Sequence, residues 1–271
     1  MMSKLYKLGV IGSPIDHSLS PFIHSRFGRQ ENINLDYRAY KVEDEDLHGF
    51  IKEFFLSKES KGLNITLPHK KATAKIITSL SKEAAFIDAV NTIIKSSDKL
   101  HAVSTDGEGL IKDLVKKDIQ ISNKKILIIG AGAAVESVLF KIIKSNPQSI
   151  TLSNRSEEKA KKLRLKYSPM MNISLDLQKN KYDLVINGSS AGLTGDFLPP
   201  DNSLFNENTI FYDLNYSLTG TAFCNWAEEI SSHYHDGMGM LISQAALSFN
   251  EWFGVMPSTN SISKEIRDLR N

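Results

Sequence analysis

The sequence predicts an α/β protein of two domains, each built on a parallel sheet. Three observations carry that expectation. Short apolar, β-branched runs alternate with longer stretches of helical spacing almost from end to end, as strands joined by crossover helices do. The alternation begins afresh at Ile126, beyond a joining stretch around Asp106–Asn123. The chain has 271 residues, enough for two modest cores.

The first series opens with a strand over Leu8–Ile11, ending in Gly12-Ser13-Pro14-Ile15-Asp16-His17-Ser18-Leu19-Ser20-Pro21. Ser20 before Pro21 reads as an N-cap with proline at the first helical position, so a helix over Pro21–Gln30 follows. Ser18 and Ser20 then stand beside a helix N-terminus, which suits a small carboxylate. Equally, Ser20 could simply cap its helix while Ser18 does nothing. Next come a strand over Tyr37–Val42, a helix over Asp44–Leu56 and a strand over Leu63–Thr66. Pro68 stops that strand, and Lys70 stands just beyond it, where a helix begins. Two short helices fit between His69 and Ile87, followed by strands at Val90–Ile94 and His101–Val103. A lysine at a helix start has no dipole benefit. Lys70 is a plain surface charge unless a carboxylate meets it, and Asp106, in Ser104-Thr105-Asp106-Gly107, is the candidate. Asp106 also reads as a helix N-cap.

The second series starts with a strand over Ile126–Ile129 that runs into Gly130-Ala131-Gly132-Ala133-Ala134-Val135. Strand, glycine turn and helix in that order cradle a dinucleotide pyrophosphate. Only two of the three usual glycines are present, and Val135 stands where the third permits close helix–strand packing. A second strand, Ile150–Leu152, ends at Ser153-Asn154-Arg155-Ser156, with Lys159 one turn on. NAD proteins place an acidic side chain there for the ribose 2′-hydroxyl. A guanidinium suits a 2′-phosphate instead, so the cofactor expected is NADP. Arg155 and Lys159 read as solvated charges otherwise, but cations at a helix start work against its dipole. Helices over Ala134–Lys144, Glu157–Tyr167 and Thr221–Ile230 and strands over Leu184–Asn187 and Ile210–Leu214 complete the series. The stretch Gly237–Phe253 is helical and apolar. Its position assigns it to the second domain, though its periodicity does not say which sheet it covers.

Composition narrows the function classes. Hydrophobic residues make up 41% and charged residues 24%, with a net charge of +2. That is an ordinary globular profile, too near balance to argue for nucleic acid or an anionic membrane. The apolar runs are strand-sized, and the N-terminal stretch reads as a strand rather than a signal peptide. Cys224 is the only cysteine, which fits a reducing cytoplasm and a packing role. No cluster of His, Cys and carboxylates has ligand spacing, so no metal is expected. Trp226 and Trp252 read as core residues, and His17, His24 and His69 as polar neighbours of the site.

Taken together, Ser-x-Ser-Pro-x-x-His, Asn-Ile-Thr-x-Pro-x-Lys, Ala89-Val90-Asn91-Thr92, Thr105-Asp106-Gly107, Gly-Ala-Gly-x-Ala, Asn154-Arg155-Ser156 and Asp236-Gly237-Met238-Gly239-Met240-Leu241-x-x-Gln244-Ala245-Ala246 resemble the shikimate dehydrogenases. The motifs stand in family order across nearly the whole chain. The resemblance implies reversible reduction of 3-dehydroshikimate to shikimate with NADPH, in the route to chorismate and the aromatic amino acids. It implies Lys70 and Asp106 as the catalytic pair. Ser18 and Ser20 would hold the substrate carboxylate, with Tyr216 near it, and Thr66, Asn91, Asp106 and Gln244 the ring hydroxyls. Gly130, Ala131, Gly132, Ala133 and Ala134 would carry the pyrophosphate. Asn154, Arg155, Ser156 and Lys159 would take the 2′-phosphate, with Gly237 and Met240 near the nicotinamide.

The same resemblance implies a discontinuous substrate domain, 1–105 with 238–271, around a Rossmann-like NADP domain, 106–237. The active site is expected in a cleft between them, at the carboxyl ends of the strands. The expected partner is a small molecule, with no nucleic acid or membrane, for a cytoplasmic monomer or homodimer. The chain departs from the family pattern at Ala133, usually a second consecutive glycine, and at Ser104, usually asparagine. It also has Asn187-Gly188-Ser189-Ser190 for Asn-Ala-Thr-Ser, no proline after Tyr216, and Ser25 for an asparagine. Two rivals remain, a broader quinate/shikimate dehydrogenase and a non-catalytic NADP-binding paralogue.

Overall fold

The computed structural model describes residues 4–178, 182–189, 191 and 197–268. The chain divides into two compact units, one formed by Met1–Gly109 with Ile242–Asp268, the other by Leu110–Leu241. The long C-terminal helix thus changes unit near Leu241, and its larger part does not follow the sequence-order assignment. Buried Ala245, Ala246, Phe249 and Trp252 give the reason, since that apolar face covers the first sheet. Trp252 joins the core of Leu8, Val10, Tyr37 and Ile94, and its indole N–H donates to Ile93 O at 2.9 Å.

In the first unit, strands β1 (Tyr6–Gly12), β2 (Leu35–Lys41), β3 (Ser60–Ile65), β4 (Thr92–Ser96) and β5 (Lys99–Val103) form one sheet in the order β2-β1-β3-β4-β5. Helices α1 (Ser20–Gln30), α2 (Leu47–Phe54), α3 (Lys70–Ile76) and α4 (Lys82–Ile87) connect them. Pairing is parallel on both sides of β1 but antiparallel from β3 to β4 and from β4 to β5. The expectation of a wholly parallel sheet is therefore corrected for this unit. Only Ser97 and Asp98 lie between β4 and β5, with Ser97 at φ 53°. Two residues close a hairpin but cannot make the crossover that a parallel pair needs.

In α1, His24 is fully buried, stacked on Tyr37 with ring centroids 4.3 Å apart. It is a core residue rather than a loop neighbour of the site. Neither ring nitrogen makes a well-formed hydrogen bond. Burial lowers its pKa from 6.5 to about 3, opposed only weakly by the Asn64 side chain. The unfolded chain takes up this proton as pH falls through the ordinary value, whereas the folded chain does not until about pH 3. Stability is consequently full above about pH 6.5 and is lost progressively below it. Between about pH 7.5 and about pH 5 the wild type should lose about 2 kcal/mol more than a His24→Phe variant. Urea midpoints at the two pH values check this, and parallel losses in the two proteins would refute it.

In the second unit, β6 (Lys125–Ile129), β7 (Ser149–Ser153), β8 (Ile173–Ser174), β9 (Leu184–Asn187), β10 (Ile210–Asp213) and β11 (Tyr234–His235) form a sheet in the order β11-β10-β9-β6-β7-β8. Every recorded pairing in it is parallel. The strand order reverses between β6 and β9, the switch point at which open α/β sheets bind ligands. Helix α5 (Asp106–Lys116) leads out of the first unit, and α6 (Ala133–Lys144), α7 (Glu157–Tyr167) and α8 (Ala222–Glu228) connect the strands. α9 (Met238–Phe253) and α10 (Asn260–Asp268) close the chain. Free Cys224 and Trp226 are buried in the core with Phe211 and Phe223. The sequence reading missed β8 and β11, because two residues carry no periodicity. It also left α10 unread and took most of α5 for a joining stretch. Among the described residues, no helix is long and apolar enough to cross a membrane.

Candidate functional site

Two strand ends and a helix start meet in the first unit. Pro68 stops the chain after β3, and α3 begins at Lys70 itself. α5 begins at Asp106, which is its first helical residue rather than the N-cap expected. Its carboxylate lies in the first turn, where the helix dipole favours negative charge. Lys70 Nζ donates to Asp106 Oδ2 at 2.7 Å, and Asn91 Nδ2 donates to Oδ1 at 3.0 Å. Asp106 is 5% exposed and Asn91 3%, so both carboxylate oxygens are held in a largely dry setting. Gln244, on α9, lies with its Oε1 at 3.2 Å from Asn91 Nδ2. Gly109 keeps the backbone of α5 close to α9, for a Cβ there would stand 2.9 Å from Gln244 N. The residues predicted at 70, 91, 106 and 244 are therefore one cluster.

The serine pair is arranged differently from expectation. Ser20 is the first residue of α1, and the capping position falls on Leu19, which makes no side-chain cap bond. Ser20 is 8% exposed and hydrogen-bonds Tyr37, whose phenol burial pushes well above its ordinary pKa. Ser18 is not idle: its Oγ accepts the Ser20 N–H at 3.3 Å. Thr66 follows β3, half-buried, with its N–H on Ile11 O at 3.0 Å. His69 is fully buried with Nε2 2.7 Å from Val42 O, whereas His17 is exposed.

In the second unit the glycine turn has the form that phosphates need. Gly130 adopts φ +106°, and a Cβ there would lie 2.9 Å from the Gly188 and Ser189 backbone. Glycine is required on both counts. At Gly132 a Cβ would meet nothing within 4 Å, so the space over the start of α6 is open. No side chain caps α6, which leaves its first-turn N–H groups directed outward. Ala131 does not belong to that donor set, because its N–H goes to Asn154 Oδ1 at 3.0 Å. Asn154 Nδ2 donates to Ser156 O at 2.7 Å. Asn154 thus ties the glycine turn to the loop after β7. Arg155 and Lys159 are exposed on that loop and the start of α7, and neither forms an ion pair among the described residues.

Two departures noted in the sequence turn out to compensate one another. A Cβ on Gly188 would collide with Val135 Cγ2 and come within 3.0 Å of Leu214 Cδ1. Val135, in place of a third glycine, fills the space that residue 188 leaves. Ser190 of the same motif lies outside the described residues.

Beyond β10, Asp213 organises the loop that carries Tyr216. Its Oδ1 accepts from Asn187 Nδ2 at 2.9 Å, Asn215 N at 3.0 Å and Asn215 Nδ2 at 2.9 Å. Burial raises the pKa of Asp213 against these bonds and one from Thr221. Asn215 O in turn accepts the Gly237 N–H at 2.8 Å, and a Cβ on Gly237 would collide with Leu214 O. Tyr216, half-buried, has its phenol pKa raised by burial, and Met240 lies in the first turn of α9. Sequence reading missed Asp213. Its only signal there is a charge ending an apolar strand.

A parallel sheet with a glycine turn at its switch point, and a separate mixed sheet bearing a buried lysine–aspartate pair, define a nicotinamide-dinucleotide dehydrogenase class. Comparison with known proteins narrows it. Three family models match, the shikimate dehydrogenase substrate binding domain at residues 10–93, shikimate / quinate 5-dehydrogenase at 113–193, and the shikimate 5′-dehydrogenase C-terminal domain at 237–267. The shikimate dehydrogenase (NADP(+)) of Vibrio campbellii is 35% identical over 274 residues, covering 98% of each chain. That of Hahella chejuensis is 37% identical over 264 residues, covering 95% of this chain and 97% of its own. The structure of shikimate 5-dehydrogenase from Thermus thermophilus in complex with NADP(H) and shikimate superposes with a TM-score of 0.88 at 28% identity, covering 97% of this chain and 99% of the other. The chain belongs to the shikimate dehydrogenase family.

Proposed function

We propose that this protein interconverts shikimate and 3-dehydroshikimate with NADP as the hydride carrier, in the route to aromatic amino acids. It is an oxidoreductase acting on a CH–OH group. The observation that carries this reading is the Lys70–Asp106 pair, 2.7 Å apart and part-buried, with Asn91 and Gln244 beside it. The second unit suits NADP on its own geometry: open space over Gly132, uncapped N–H groups on α6, and an exposed guanidinium at Arg155. Gly132, Ala133 and Ala134 would hold the pyrophosphate, and Arg155, Ser156 and Lys159 the 2′-phosphate. Ala131 and Asn154 shape that site through their mutual hydrogen bond.

NADPH, when bound, supplies the hydride that reduces the carbonyl carbon. The oxygen left behind must gain a proton, and Lys70 gives it; in the oxidative direction Lys70 takes the hydroxyl proton. Asp106 orients the ammonium with one oxygen while Asn91 steadies the other. Ser18 and Ser20 would hold the carboxylate, and Thr66, Asn91, Asp106 and Gln244 the ring hydroxyls. Gly237 and Met240 would lie by the nicotinamide. The reading carries a discontinuous substrate domain around the NADP domain, and a cytoplasmic setting supported by the buried free thiol of Cys224. Quinate stands as a second substrate because one matched family model spans both activities.

Absorbance of the reduced nicotinamide tests this with shikimate or quinate and NADP⁺ or NAD⁺ in all four pairings. Signal with shikimate and NADP⁺ is expected. Signal with quinate moves the chain to the broader specificity, and silence in all four refutes the reading.

A further inference from the structure

Behind the Lys70–Asp106 pair lies a chain of buried polar groups to which no role has been given. Asn64, Thr92 and Ser248 come from β3, β4 and α9, with exposures of 6%, 0% and 0%. Tyr37 OH donates to Asn64 Oδ1 at 2.8 Å. Asn64 Nδ2 reaches Ser248 Oγ at 3.0 Å and Thr92 Oγ1 at 3.1 Å. The two hydroxyls are 2.8 Å apart, and Thr92 Oγ1 is 2.9 Å from Asn91 Oδ1.

Counting protons limits the arrangements this chain can take. Asn91 Oδ1 already accepts the Thr105 N–H at 2.9 Å, so the amide oxygen faces Thr105 and Thr92. Thr92 has one hydroxyl proton and spends it on Asn91 Oδ1. Ser248 is accordingly the donor to Thr92 in the arrangement that keeps this bond, and Gln244 O is then served by Thr105 at 3.0 Å. In the alternative arrangement Ser248 Oγ donates to Gln244 O, also at 3.0 Å, and Thr92 donates to Ser248. The sequence Asn64 to Ser248 to Thr92 to Asn91 to Asp106 is thus continuous. A buried group left without its partner loses its full solvation, so each link constrains the next.

We propose that Ser248 and Thr92 are positioning residues, whose paired hydroxyls set the orientation of the Asn91 amide toward Asp106 and the seating of Gln244 beside it. Ser248 follows Gln244 by one helical turn on the same face of α9, and its hydroxyl fastens that face to the ends of β3 and β4. Neither residue touches substrate. Both act through Asn91 and Gln244, and the inference rests on the function proposed above.

The test uses the full chain with Ser248→Ala, Thr92→Val, Thr92→Ser and the double variant Ser248→Ala/Thr92→Val. Readouts are KM for shikimate, KM for NADP⁺, kcat and the thermal midpoint. Ser248→Ala and Thr92→Val should each raise the shikimate KM about tenfold, the loss expected for one buried hydrogen bond, with the NADP⁺ KM unchanged. Thr92→Ser, which keeps the hydroxyl, should restore it. The double variant should be little worse than either single one, because one chain is broken in both. The inference is overturned by an unchanged shikimate KM in Ser248→Ala. It is equally overturned by a lowered thermal midpoint with both KM values moved alike, or by Thr92→Ser behaving as Thr92→Val. If Ser248→Ala does not fold, the Thr92 pair decides alone. A wild type silent with shikimate and NADP⁺ refutes instead the proposed function, and the inference with it.

Discussion

Replacing Lys70 with alanine should slow the oxidation of shikimate by about 10²–10⁴-fold, the range over which a positioned acid–base group accelerates proton transfer. The KM for shikimate should change little. The ammonium is 2.7 Å from Asp106 Oδ2 and only 15% exposed, a placement that the alanine side chain cannot reproduce. Asn91 retains its hydrogen bonds to Asp106 and Thr105 in the variant, which keeps the ring-hydroxyl site intact. Steady-state kinetics together with direct calorimetric binding of shikimate separate the two effects. Turnover within tenfold of wild type would remove Lys70 from the chemistry. A total loss of shikimate binding would show instead that its role is to hold the substrate.

The second large effect concerns the cofactor. Arg155→Ala should raise the KM for NADP⁺ by about 10- to 100-fold, as expected for losing charge-assisted hydrogen bonds to a phosphate. kcat should stay near wild type, because a contact to the 2′-phosphate holds the cofactor equally in the ground and transition states. Raising salt should weaken NADP⁺ binding less in the variant than in the wild type, since one exposed cation has gone. Arg155→Asp should go further, repelling the 2′-phosphate and offering an acceptor to the ribose hydroxyl of NAD⁺. Initial rates with both cofactors at two salt concentrations measure this. An Arg155→Ala protein with an unaltered NADP⁺ KM would shift the 2′-phosphate to Lys159 and the start of α7.

The departures from the family pattern bear on these expectations unequally. Val135 and Gly188 offset one another in the packing of α6 on β9, so the missing third glycine does not by itself open the cofactor site. Ala133 lies at the start of an uncapped helix, with open space at Gly132 before it. Nothing in the structure explains Ser104 in place of asparagine.

Local features carried what the sequence determined alone. Periodicity marks most of the strands and helices because each is stabilised by one apolar face of its own. The glycine turn is legible because Gly130 needs a backbone conformation that other residues rarely adopt. The basic loop is legible because Arg155 stands where an acid would otherwise be. The tertiary structure decided whatever depends on partners remote in the chain. Lys70 meets Asp106 across 36 residues, and Asn91 meets Gln244 across 153. No spacing rule reaches so far: the residues alone offered Asp106 only as a candidate partner for Lys70, and the resemblance joined Asn91 and Gln244 to them. The unit to which α9 belongs, the antiparallel half of the first sheet and the burial of His24 also escaped local reading. So did the hydroxyl chain through Ser248, because a serine on an apolar helix looks the same in sequence whether it faces water or the polar groups of Asn64, Thr92, Thr105 and Gln244. Local propensity acts within a few residues, whereas burial and hydrogen-bond satisfaction are settled only when distant elements close around one another.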